Sequence, residues 1–92
     1  MLLTKEQINE IENMAELFFN ITDIAVNIQV SPQDLHEEIL SEQGPVCEAY
    51  KRGWFKGEIP LRKSIAQAAA NGSNPAQNMM LELRTKAQIS NL

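Results

Sequence analysis

The run from Ile21 to Ile39, ITDIAVNIQVSPQDLHEEI, leaves this chain few ways to fold. Two short apolar periodicities flank a turn. Ile24, Ala25 and Ile28 fall on one helical face, and Leu35 and Ile39 fall on a second. Val30 sits at the turn, and small Ala25 lets two helices cross closely. Ser31 suits the N-cap of the second helix, with Pro32 at its first position, where a missing N–H costs nothing. Asp34, three residues after Ser31, makes a variant capping box with Asp in place of Glu or Gln. The pattern predicts a helix-turn-helix, with a second helix from Pro32 to about Ser41. Gln29 stands where such turns often place Gly, so either Gln29 takes a positive φ or the turn differs.

A helix-turn-helix often puts its second helix in the DNA major groove. Here that helix carries Asp34, Glu37 and Glu38, with Glu42 just beyond, and no Lys or Arg. Basic side chains supply most non-specific DNA affinity, so the shape of this motif and its charge disagree. Of its residues, Gln33 is kept as a candidate DNA contact.

The charge disagreement extends to the whole chain. Residues 1–48 hold one base, Lys5, against ten acids, a net −9. Residues 49–92 hold seven bases against Glu58 and Glu82, a net +5. Such a split fits halves that attract each other, within or between chains, or a basic half that faces an anionic partner.

The flanking segments are also helical in pattern. Thr4 with Gln7 forms a capping-box sequence, and Ile8, Ile11, Ala15 and Phe18 follow at helical spacing, which predicts a helix from Thr4 to about Phe19. Asn20 or Thr22 can cap the next helix. Gly44 and Pro45 are the clearest punctuation, so a boundary is expected there: a helix-turn-helix domain over 1–45 and a basic helical hairpin over 46–92. A fourth helix is expected over Val46–Ile59, with apolar positions at Val46, Cys47, Tyr50, Trp54 and Phe55. Gly53 and Gly57 lie one turn apart in it and cost roughly 1 kcal/mol each relative to Ala. Their presence points to a close backbone approach, commonly by a neighbouring helix and more rarely by a nucleic-acid backbone. Pro60 is expected to kink or restart the helix. Leu61, Ile65, Ala68 and Ala69 carry the apolar face on to Ala70. Asn74 and Pro75 read as the cap and first position of a last helix, running through Met79, Met80, Leu83 and Ala87 to about Ile89. The expected fold is all-α: about five helices, with an N-terminal helix-turn-helix followed by a helical hairpin.

Little in the sequence speaks for catalysis. The one histidine, His36, and the one cysteine, Cys47, do not make a metal-ligand spacing, and no cofactor is implied. No Gly-rich loop could cradle phosphate, and no serine has a base arranged beside it. The chain is read as non-enzymatic. A single cysteine rules out an internal disulfide and fits a reducing compartment, and no apolar run approaches a membrane span, so a cytoplasmic location is expected. The best interaction signal is Ala49–Lys63, AYKRGWFKGEIPLRK, where bases alternate with aromatics. That combination suits phosphate contacts and base stacking. It equally suits a basic amphipathic helix whose aromatics enter the core while Lys and Arg stems cover it.

Tyr50, Gly53, Gly57, Leu61, Arg62, Ala69, Gly72, Asn74, Ala76 and Leu81 follow an order of aromatic, glycine, basic helix, Ala-rich turn and closing helix. This order resembles a segment of the small subunits of phage terminases and related DNA-packaging proteins. The upstream helix-turn-helix agrees with that family's order, and the resemblance covers roughly residues 20–88. It implies a non-catalytic homo-oligomer, in this family typically a ring. It also implies binding of double-stranded DNA and delivery of that DNA to a large terminase subunit. With an acidic second helix, the phosphate contacts are expected from Lys51, Arg52, Lys56, Arg62 and Lys63. Two other readings stand beside it: a helix-turn-helix transcriptional regulator that binds DNA as a dimer, and a helix-turn-helix-derived protein-interaction adaptor.

Overall fold

Thr4 opens the first helix. Its hydroxyl accepts the Gln7 N–H at 3.1 Å, and the Gln7 side chain accepts the Thr4 N–H at 2.9 Å, which completes the capping box. The computed structural model describes residues 1–91 and arranges them as α1 (Lys5–Glu16), α2 (Ile21–Ile28), α3 (Pro32–Leu40), α4 (Gly44–Ala70) and α5 (Asn74–Ser90). The fold is all-α, and no strand occurs among the described residues. The chain divides into two compact units, Met1–Glu58 and the residues from Ile59 onward.

Side-chain caps fix each helix start in the first unit. Asn20, rather than Thr22, caps α2 by accepting the Asp23 N–H at 2.8 Å. Ser31 caps α3 by accepting the Asp34 N–H at 3.3 Å, and Pro32 follows at the helix start. The turn between α2 and α3 is made by Gln29 itself, in the left-handed conformation at φ 63° and ψ 45°. Around it, Gln29 N–H donates to Val26 at 3.3 Å and Val30 N–H donates to Ala25 at 3.0 Å, the paired bonds of a Schellman end. Phe18 ends α1 in the same way at φ 64°, with Phe19 N–H reaching back to Met14 at 3.2 Å. A left-handed non-glycine residue costs about 1–2 kcal/mol, so tertiary packing must hold both turns in place.

That packing is a core of Ile11, Ala15, Ile24, Ala25, Ile28, Leu35, Ile39, Val46, Cys47 and Ala49, all buried. Each large aliphatic member contributes about 1.5–3 kcal/mol by leaving water. Gln7 Nε2 adds a clasp from α1 to the end of α2, donating to the Ile28 carbonyl at 3.0 Å. The core does not close at residue 45, where the sequence punctuation placed a boundary. Val46, Cys47 and Ala49, in the opening turns of α4, complete it, and the compact unit runs on to Glu58.

Gly53 is the point of closest approach. A Cβ built on it would fall onto the backbone carbonyl oxygen of Glu12 in α1 and within 2.8 Å of the carbonyl carbon. Gly57 meets the Glu16 carbonyl in the same manner. With buried Ala49 one turn earlier, these residues make a small-residue groove on α4 that receives the α1 backbone. The neighbour that the two glycines announce is therefore a helix of the same chain.

Pro60 does not restart the helix: α4 is assigned without a break from Gly44 to Ala70. Pro60 is exposed, so the Lys56 carbonyl that loses its amide partner can be hydrated. In the second unit, α5 begins one residue earlier than its sequence pattern indicated. Ser73, not Asn74, is the cap, accepting the Ala76 N–H at 3.3 Å, and Asn74 is already helical. Gly72, at φ 99°, turns the chain, and Gln77 Nε2 ties α5 back to the Ala69 carbonyl at 3.1 Å. Among the described residues, Ala76 is the buried side chain of this hairpin. Ile59, Leu61, Met79, Leu81 and Ile89 are exposed.

Candidate nucleic-acid and assembly surfaces

In the first unit, α4 presents a cleft of about 400 Å³ lined by Tyr50, Lys51, Trp54 and Phe55. Of its aromatics, Tyr50 packs against the core cluster while Trp54 and Phe55 lie outside it. Phe55 is exposed and Tyr50 and Trp54 are half-buried. Trp54 holds the group together, with its ring edge-on to Phe18 at 6.0 Å and to Phe55 at 5.4 Å. The left-handed turn at Phe18 is what brings its ring there. Lys51 has no hydrogen bond or ion pair among the described residues, and its charge is free for a ligand.

Arg52 and Lys56 are differently placed. They stand one turn apart on α4, and both donate to the carboxylate of Glu12, Arg52 through Nε and Lys56 through Nζ. Lys56 and then Arg52 hold the Glu12 carboxyl below its ordinary value of 4.5, against an opposing effect of desolvation. Both cations stay about half exposed, at 52% and 51%, and together with Glu12 they leave one net positive charge facing solvent. Glu12 is the residue of this candidate surface that the sequence did not reveal. Its pairing spans forty or more positions and depends on the close crossing at Gly53, so no local spacing reveals it.

Gln33 lies apart from these bases, on α3. Its Nε2 donates to Glu37 at 3.2 Å, so its amide is already engaged. Beside it, Met1, Asp34, Glu37 and Glu38 line an open hollow of about 410 Å³, and the terminal amine sits 3.9 Å from Glu38. The face of α3 is thus acidic in space as well as in sequence. Arg62 and Lys63 belong to the second unit. Both are exposed; Arg62 has an interaction within the chain, and Lys63 has none among the described residues.

Counted by unit, the charge split sharpens. Residues 1–58 carry Lys5, Lys51, Arg52 and Lys56 against eleven acids, a net −7. From Ile59 onward, Arg62, Lys63, Arg84 and Lys86 stand against Glu82, a net +3. The surface of the hairpin includes a groove of about 530 Å³ lined by Ala69, Gln77, Met80, Leu81 and Arg84. No group of three or more His, Cys, Asp or Glu residues that could hold a metal occurs among the described residues. No helix among them is long and apolar enough to cross a membrane. No protein-family model, curated protein or solved structure matches the chain.

Proposed function

We propose that this chain is a non-catalytic, self-associating helix-turn-helix component of a DNA-handling assembly, of the kind represented by phage terminase small subunits. The observation that carries the reading is the uncovered hairpin. Its described residues bury Ala76 and leave Ile59, Leu61, Met79, Leu81 and Ile89 in solvent. A hairpin that buries one small side chain among its described residues has little core of its own and leaves its apolar residues to a partner. The helix-turn-helix upstream, turning through left-handed Gln29, supports the same reading.

In this reading, DNA is held by its phosphates. Lys51 and Lys63 are the primary contacts; Arg62, which has an interaction within the chain, and Arg52 and Lys56, whose charge Glu12 offsets in part, add to the field. Direct base readout by Gln33 is not part of it, since its amide donates to Glu37 and its helix also carries Asp34 and Glu38. The assembly would present DNA to a larger, catalytic partner. A second reading, a protein-interaction adaptor that binds no DNA, is favoured by the acidic α3 and by the Glu12 pairing.

Fluorescence anisotropy with a labelled duplex separates the two. The DNA-binding reading expects affinity that falls steeply between about 50 and 200 mM salt. Each of Lys51→Ala and Lys63→Ala should lower the salt slope by about 1. No binding at low salt would leave the adaptor.

A further inference from the structure

The self-association proposed above leaves open what covers the hairpin, and the charges choose among the candidates. A hairpin pairing with another hairpin would set +3 against +3 and bring like charges across the contact. The first unit of another copy, at −7, is complementary to it.

Within that acidic unit, α3 matches best. It has no Lys or Arg, its hollow is lined by Met1, Asp34, Glu37 and Glu38, and Leu40 beside them is 64% exposed. Leu40 follows Glu37 by three residues, so the two are neighbours on one helical stripe. On α5, Arg84 follows Leu81 by the same three residues, and Leu81 and Arg84 both line the hairpin groove. Laid antiparallel, the two stripes bring Arg84 to Glu37 and Leu81 to Leu40. Each apolar side chain then meets an apolar side chain and each charge its opposite.

We infer that this chain assembles head to tail, with the Leu81–Arg84 groove of one copy docking on the acidic α3 stripe, Glu37 and Leu40, of the next. The inference rests on the self-association in the proposed function and names its partner surface. It gives the acidic charge of α3 a use in assembly that DNA contact cannot give it. Because the two docking surfaces differ, each copy has one free end, and the contact repeats to a ring or a filament.

The test uses two variants of the full chain, each altered at exposed positions. Glu37→Lys with Leu40→Lys disables the α3 stripe; Leu81→Glu with Arg84→Glu disables the groove. Native mass spectrometry should show each variant alone as a monomer where the wild type is multimeric. Mixed, the two should give a 1:1 dimer and nothing larger, since each supplies the surface the other lacks. Circular dichroism confirms that both are helical. Should either fail to fold, Leu40→Cys and Leu81→Cys copies, mixed and oxidised, should form a mixed disulfide dimer in preference to either homodimer. If the α3 variant assembles like the wild type, the head-to-tail pairing is wrong while self-association stands. A monomeric wild type would overturn both.

Discussion

Gly53 lies against the main-chain carbonyl of Glu12, so close that even a methyl group there would overlap it. Because the obstacle is backbone, it cannot be relieved by turning a side chain. Overpacking of this sort costs about 1–3 kcal/mol, while replacing Gly by Ala in a helix returns roughly 1 kcal/mol. Gly53→Ala is therefore expected to lose up to about 2 kcal/mol, seen as a lower urea midpoint with unchanged slope. Gly57→Ala should lose a similar amount, because its Cβ would meet the Glu16 main-chain carbonyl oxygen just as closely.

Glu12 links the same crossing to pH. Its folded carboxyl is held below 4.5 by Lys56 and Arg52, so the unfolded chain binds a proton there more readily than the folded one. The resulting stabilisation is complete above the unfolded value and is lost as pH falls through the lowered folded value. Urea midpoints between about pH 6 and pH 2 should therefore fall less steeply for Glu12→Gln than for the wild type. The difference should shrink in high salt, since the ion pairs are half exposed. The same substitution frees Arg52 and Lys56 and should tighten duplex binding at low salt. An unchanged affinity would remove those two residues from the DNA surface.

Gln29 is a local conflict that the fold overrides. Gln29→Gly should stabilise the first unit by about 0.5–1 kcal/mol by relieving the left-handed strain, net of glycine's greater unfolded freedom. Phe18→Gly should not show this gain despite a similar φ of 64°, because it deletes the ring that packs on Trp54, a contact worth roughly 0.5–1.5 kcal/mol. Thermal melts of the two variants, run side by side, check the contrast.

Pro60 leaves the Lys56 carbonyl without its helical donor. Pro60→Ala restores that bond and should raise hydrogen-exchange protection in the turns of α4 on either side. The gain is bounded by the roughly 3 kcal/mol that separates Pro from Ala inside a helix.

The helix-turn-helix was legible in the sequence because its determinants are local. Thr4, Asn20 and Ser31 cap the helices they precede, and Ile24, Ile28, Leu35 and Ile39 mark the faces that become core. The two glycines of α4 also announced a close neighbour, though only the fold identifies it as α1. Local rules failed where tertiary structure decides. Gly44 and Pro45 punctuate the chain, yet Val46, Cys47 and Ala49 beyond them belong to the first core. Of the kink or restart expected at Pro60, the restart does not occur, since an exposed position tolerates proline within the helix. For the candidate site, the exposure of Lys51 and Lys63 agrees with the charge pattern. The Glu12 anchor on Arg52 and Lys56, and the Glu37 bond that occupies Gln33, come from side-chain geometry that spacing alone does not give.

The native mass of the wild-type chain at moderate salt decides whether the hairpin is an assembly surface. One dominant multi-subunit species is expected, persisting on dilution to low micromolar concentration and lost when Leu81 and Arg84 are both changed to Glu. A single species at the 10.3 kDa mass of one chain, across the same concentrations, would contradict it.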